Sequence, residues 1–455
     1  MKRPIVVVIP ALFVLFSFSF TQRGMSAETQ SRVVTLKNGI FAVVERRTDV
    51  PLVHMVVAVR AGSKYEPASQ LGISHLIEHL ILFGRSRPES ETFVSRLRSR
   101  GGFLNGHTDS DLVTIELTFP RDELDFAVDL MGKIVFNRRF HQVDLDRERS
   151  VVQKEKSEAA DNPERRGLFL MLESLFAGHP YSRSAFGNQQ DLQQITLEDL
   201  HRHYQGLFLP GRSGVALVGD LDLHASVASL EKHLGKLATA PPADSAAAET
   251  PALQPLKQTV DIKRNMDVQR AHIWIGFRAP AYNHHHRVAM RVLSQMLGRG
   301  GYPLLSTRLS GRFQLVDAVS MNYLALEEEG CAWIHMVLES DNVKRARNEV
   351  DRFLKAFRAM NFSTRDLPPS RRRGVFDFME TAMNQLRLRS ETGGEDGLQR
   401  ALSYARFVLL NQRRRPKSLA AQLADLSPSR LRSVAADYLL KRPHVVITFL
   451  PEKTE

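Results

Sequence analysis

The 455-residue sequence predicts an α+β fold of two homologous α/β sandwich domains related by duplication, each a mixed sheet with helices packed on one side. Three observations carry that expectation. At this length and 43% hydrophobic content, the chain exceeds what one ordinary core serves. A stretch from Leu237 to Leu256, with Pro241-Pro242, Ala246-Ala247-Ala248 and Pro251, lacks helical or strand periodicity and divides the chain into similar halves. The halves also look alike, since His54 to Ala61 and Ala271 to Arg278 are both apolar strands leading through a loop into a helix and a glycine. The predicted boundaries are a signal segment at 1–27, a first domain at 28–237, a linker at 238–256 and a second domain at 257–455. Each half reads as β-β-α followed by mixed strands and helices, with long helices at Leu145 to Ala160 and Thr381 to Leu410.

Lys2 and Arg3 precede an apolar run from Ile5 to about Phe20, which is the profile of a signal peptide. The run contains Pro10 and is shorter than the roughly 20 residues a membrane span needs. Gly24, Ser26 and Ala27 offer small residues for cleavage. Export is expected, with the periplasm as destination and no stable membrane span after cleavage; the alternative is a membrane anchor formed by an uncleaved signal. Cys331 is the only cysteine, so no internal disulfide is available and a buried structural thiol is its expected role.

The first chemical signal lies on a predicted helix, an apolar stretch from Ile73 to Phe83 that Gly72 precedes and Gly84 follows. In His75-Leu76-Ile77-Glu78-His79 two imidazoles at i and i+4 share one face, with a carboxylate between them. A helix presents zinc with two ligands and a general base in this way, and the order H-x-x-E-H is the inverzincin signature. The competing reading is a pair of core histidines satisfied by backbone carbonyls.

A third ligand separates the two readings, because catalytic zinc takes three protein ligands and keeps a fourth position for water. Glu148 and Glu155 lie two turns apart on one face of a second helix, with Val151 and Val152 between them expected to pack inward. Glu155 is a good candidate. One carboxylate would bind metal and the other support it.

These residues resemble the pitrilysin, insulysin and mitochondrial processing peptidase family of zinc metallopeptidases. The resemblance is carried by the H-x-x-E-H helix, the preceding Gly62-Ser63 and Glu66-Pro67, and the E-R-x-V-V-x-x-E helix from Glu148 to Glu155. Gly101 to Thr108, continuing to Asp111 and Thr114, is similar to the family strand that borders the active site, with Gly106 where alanine is usual. His179-Pro180-Tyr181, Gly187, Tyr204, Pro210 and Val218-Gly219-Asp220 follow in family order. The resemblance implies one zinc ion per chain, ligated by His75, His79 and Glu155, with Glu78 as base and Glu148 as the accessory glutamate. It also implies that Asn105, Gly106, His107 and Thr108 form an edge to which an extended peptide or unfolded polypeptide adds as a strand.

Aligning Gly84 with Gly298 places Ala289, Val292 and Leu293 where the first half has His75, Glu78 and His79, so the second half keeps the fold without the metal. His284-His285-His286, just before that helix, reads as a loop cluster, since consecutive loop residues rarely complete a tetrahedral site. The family's second half usually carries an arginine and, shortly after it, a tyrosine that hold substrate and oxyanion. Here Arg312 is the candidate arginine, Asp317 stands at the tyrosine position, and Tyr323 lies too far along to substitute. The chain therefore resembles the metal-bearing subunit of a pair, whose homologous partner carries the Arg-Tyr pair; a homodimer is the other arrangement. A rival from another class is a noncatalytic assembly or binding subunit that retains zinc structurally, and the intact Glu78 argues against it.

The net charge of +12 is spread widely, with clusters at Arg371-Arg372-Arg373 and Arg413-Arg414-Arg415. A solvated basic surface is the default reading, and an acidic partner or anionic membrane surface the sharper one. No aromatic-interleaved basic stripe accompanies these runs, so specific nucleic-acid binding is not expected.

Overall fold

The computed structural model describes residues 30–85, 92–238, 251–299, 302–368, 370, 377–391, 397–411 and 419–452. The signal segment, most of the linker and both arginine triplets lie outside the described residues.

The first half forms a six-stranded sheet from β1 (Ser31–Thr35), β2 (Phe41–Arg46), β3 (Leu52–Val59), β4 (Phe103–Thr108), β5 (Val113–Pro120) and β6 (Ser213–Gly219), ordered β1-β2-β6-β3-β5-β4. The burial of each strand follows from its sequence. Both β3 (LVHMVVAV) and β6 (SGVALVG) are nearly continuous apolar runs and occupy central places, where both faces must be covered. By contrast β4 (FLNGHT) alternates, with Leu104 and Thr108 buried and Phe103, Asn105 and His107 exposed, and it lies at the edge. Its register against β5 runs from Phe103 opposite Thr118 to Thr108 opposite Val113.

The second sheet contains β7 (Val260–Met266), β8 (Ala271–Ala279), β9 (Ala318–Leu324), β10 (Gly330–Leu338) and β11 (Val445–Pro451), ordered β7-β11-β8-β10-β9. It repeats the first sheet without β1. In each sheet one parallel pair, β2 with β6 and β7 with β11, adjoins an antiparallel run that ends at an edge strand, β4 or β9. The helix aligned with the H-x-x-E-H helix is Arg287–Ser294, on which Ala289, Val292 and Leu293 are fully buried. Apolar packing has replaced the polar motif.

Helices of the same half cover one face of each sheet, forming the two principal cores. The opposite faces are covered by exchange between the halves. Helix Pro163–Leu175, from the first half, places Met171 and Leu175 against Trp274, Val445, Ile447 and Phe449 of the second sheet. Helix Gly397–Asn411, from the second half, places Ala401, Ala405 and Leu409 against Val56, Ala58, Ala216 and Val218 of the first. A glycine on each exchanged helix allows the close approach, since a side chain at Gly167 would strike Trp274 and one at Gly397 would strike His54. Buried Glu45 ties the second exchange down, accepting from Arg400 at 3.0 Å and the Tyr404 hydroxyl at 2.6 Å. The buried Cys331 belongs to the cluster around Trp274, and burial pushes its thiol up to about 12.

The helix expected from Thr381 to Leu410 includes residues 392–396, outside the described residues; on either side of them lie helices Phe378–Glu391 and Gly397–Asn411, the second of which covers the other half's sheet. One sequence expectation changes here. The helix expected at Leu145 to Ala160 spans Gln142–Asp161, but only Val152 of its valine pair is buried, while Val151 is exposed. Adjacent helical positions point about 100° apart, so the two could not share one narrow buried stripe.

Candidate metal centre

Helix Ile73–Phe83, called the motif helix below, packs against Gln142–Asp161 and against the edge strand β4. His75, Glu78 and His79 are all buried on it. One helical turn brings the two imidazoles together, with ring centroids 4.7 Å apart. The second helix supplies a carboxylate to both: Glu155 Oε2 lies 3.6 Å from His75 Nε2 and 3.5 Å from His79 Nε2.

These distances permit a test of the metal. Zinc holds nitrogen and oxygen ligands at about 2.0–2.1 Å, so two ligands of a tetrahedral ion stand about 3.3 Å apart. Glu155 Oε2 stands at nearly that spacing from both imidazoles, and the three donor atoms lie mutually within 4.8 Å. The electrostatics of His75 fit as well. Burial, with His79 and His107 nearby, lowers His75 to about 3, so its imidazole is neutral, the form that binds a cation. Burial also lowers His79, but the Glu148 hydrogen bond and the charges of Glu155 and Glu78 outweigh it and the net shift is upward.

The two glutamates of the second helix have different positions. The buried Glu148 carboxylate meets His79 Nδ1 at 3.2 Å, on the side of the ring away from Glu155, and also accepts from Arg147 Nε at 2.8 Å. Such a contact fixes ring orientation and directs Nε2 at the metal position. Burial raises Glu148, yet its bonds to His79 and Arg147 prevail and hold it below the ordinary range. Glu155→Gln is therefore expected to weaken zinc binding by more than the roughly 10- to 100-fold typical of an orienting partner such as Glu148. Zinc titration of both variants against a competing chelator checks this, and the reverse order would assign the ligand to Glu148.

Glu78 turns toward β4, where the Thr108 hydroxyl donates to its Oε2 at 2.6 Å and burial raises its carboxyl. A side chain at Gly106 would press on Glu78 Cγ, Glu78 Oε1 and Leu82. Gly106 and Thr108 thus belong to the strand face that meets the motif helix. Asn105 and His107 are exposed on the other face, and Asn105 reaches Glu116 at 3.4 Å. Among the described residues β4 pairs with β5 on one side and with no strand on the other, so it has an open edge.

The structure does not bring Arg312 to this group through any described contact. It ends the turn Thr307–Arg312 in the second half, exposed, with its guanidinium over Phe313. Asp317 is exposed and paired with Arg270 at 3.4 Å, while the Tyr323 hydroxyl donates to the Pro280 carbonyl at 2.6 Å. The ligating atoms of His284, His285 and His286 also lie within 4.8 Å of one another. However, His284 Nδ1 accepts the His286 N–H, and the nearby Arg430 and Arg442 add positive charge. That set suits a cation less well than the first.

Sequence reasoning missed Phe186, whose half-buried ring stands edge-on to His75 at 5.1 Å. It also missed Arg138, buried at the far end of the motif helix. Neither carries a local signal, since each reaches the helix from a distant stretch of sequence. Among the described residues no helix is long and apolar enough to cross a membrane.

Residues 42–189 match the family model described as insulinase (peptidase family M16), and residues 194–371 match the model described as peptidase M16 inactive domain. The second description agrees with the apolar Ala289, Val292 and Leu293. An uncharacterized zinc protease of Mycobacterium leprae is 30% identical over 282 residues, which is 60% of this chain and 61% of that protein. The zinc protease PqqE of Helicobacter pylori is 27% identical over 320 residues, 67% of this chain and 70% of that protein. Among solved structures, a protease from Helicobacter pylori superimposes with a TM-score of 0.79 at 20% identity, covering 93% of this chain and all of that one. The match thus spans about three fifths of the Mycobacterium leprae protein, and the likeness to the solved structure concerns the fold.

Proposed function

The chain belongs to the insulinase family, peptidase family M16, and from that premise we propose that it is a zinc-dependent endopeptidase acting on peptides or unfolded polypeptide segments. One observation carries the reading: His75 and His79 direct their Nε2 atoms at a single oxygen of Glu155, with Glu78 on the same helix. Zinc bound there would lower the pKa of a water towards about 7 and polarise the scissile carbonyl. Glu78 takes the proton of the attacking water and passes it to the leaving amine. Its hydrogen bond from Thr108 leaves Oε1 as the accepting atom. Substrate adds to the open edge of β4, where main-chain hydrogen bonds hold an extended segment.

Asp317 at the tyrosine position favours a role as the metal-bearing member of a pair. The basic and then apolar N-terminal sequence supports export to the periplasm. Incubation with a peptide library should yield internal cleavages that a chelator abolishes and added zinc restores. Cleavage that persists in chelator at zero bound zinc would overturn the proposal.

A further inference from the structure

Two charged side chains with no part in the chemistry above meet opposite ends of the motif helix, and both are buried. At the N-terminus the Glu66 carboxylate accepts the backbone N–H of Gly72 at 2.9 Å and of Ser74 at 3.0 Å, two donors that the first helical turn leaves without partners. At the C-terminus the Arg138 guanidinium donates to the carbonyls of Leu80 at 3.1 Å and Arg85 at 2.8 Å, and stacks on Phe93. Each sign opposes the helix dipole at its own end. Gly84 permits the second contact, because a Cβ there would overlap the Arg138 guanidinium and the Leu80 carbonyl oxygen.

Burying two ionisable groups that do not pair with each other is costly, burial pushing the Glu66 carboxyl up to about 7 and the Arg138 guanidinium down to about 10, and a surface cap would satisfy the same helix ends at less cost. Helix Leu223–His233 is capped that way, by Asp222 donating no charge to the interior and accepting the Ala225 N–H at 2.8 Å. What distinguishes the motif helix is its need for an exact axial position. A slide of one residue moves a helix by about 1.5 Å, whereas metal–ligand distances tolerate about 0.2 Å. With Glu155 on a separate helix, the register of one helix against the other decides whether three donors converge.

We propose that Glu66 and Arg138 are positioning residues that clamp the motif helix at both ends and set the register at which His75 and His79 meet Glu155. The proposal rests on the zinc reading. Its test compares Glu66→Gln, Arg138→Met and Gly84→Ala with Asp222→Ala, measuring zinc affinity by chelator competition, kcat at saturating zinc, and the melting temperature without metal. The three clamp variants are expected to weaken zinc by about 10- to 100-fold and to lower kcat even when zinc-loaded, as loss of orienting partners does. Asp222→Ala should lower the melting temperature and leave zinc affinity and kcat unchanged. Gly84→Ala keeps both charges and decides the matter if either buried substitution prevents folding. Clamp variants that melt earlier yet bind zinc as wild type does would overturn the clamp alone. A wild-type chain that takes up no zinc would overturn the metal reading and the clamp with it.

Discussion

Glu78→Gln is expected to keep zinc at the wild-type stoichiometry and to lower kcat by about 10²–10⁴, the usual contribution of a positioned general base. The substitution preserves shape, and the Thr108 hydroxyl that donates to Glu78 Oε2 at 2.6 Å can donate to the amide oxygen instead. His75, His79 and Glu155 retain their mutual spacing because Glu78 makes none of the contacts between them. Metal analysis beside a peptide assay decides the outcome. Activity within about threefold of wild type would remove Glu78 from the base role, and loss of zinc would make it a structural residue.

The second large effect concerns the chain in isolation. Purified alone it should bind zinc and turn over peptide slowly, then gain about 10²–10³ in kcat when mixed with a homologous chain that carries the arginine and tyrosine, the range associated with one oxyanion donor. Asp317 is paired with Arg270, and as a carboxylate it has no proton to offer a developing oxyanion. Tyr323, the nearest phenol along the chain, already donates its hydroxyl to the Pro280 carbonyl. Steady-state rates with and without the homologue, at matched zinc content, provide the check. Full activity from a rigorously monomeric or homodimeric preparation would contradict the prediction and direct attention to Arg312.

The second half illustrates how a duplicated fold can lose a site and keep its core. Ala289, Val292 and Leu293 are fully buried where the first half has ligands and base, so restoring the motif there would bury three polar groups in an apolar core. The first half keeps its polar triplet because Thr108, Glu148 and Glu155 supply partners from two other elements.

The sequence by itself determined the features that follow from short-range periodicity. Two histidines four residues apart on an apolar helix must share a face, and two glutamates seven apart must share another. Nearly continuous apolar runs such as those of β3 and β6 suit strands covered on both faces, and the alternating FLNGHT suits a strand with one face buried. The duplicated architecture was legible in the same way, from like patterns on either side of a proline- and alanine-rich stretch.

Only the tertiary structure decided which partner each surface meets. Periodicity puts Glu148 and Glu155 on one face but does not say that the first meets Nδ1 of His79 and the second both Nε2 atoms. An amphipathic helix does not encode which sheet it covers, so the exchange of Pro163–Leu175 and Gly397–Asn411 between halves was invisible locally. Nor could Arg138 be assigned to the end of the motif helix, more than fifty residues earlier in the chain. The physical reason is common to all three: these contacts are set by the packing of whole sheets and helices against one another, a property of the assembled core that no window of neighbouring residues contains.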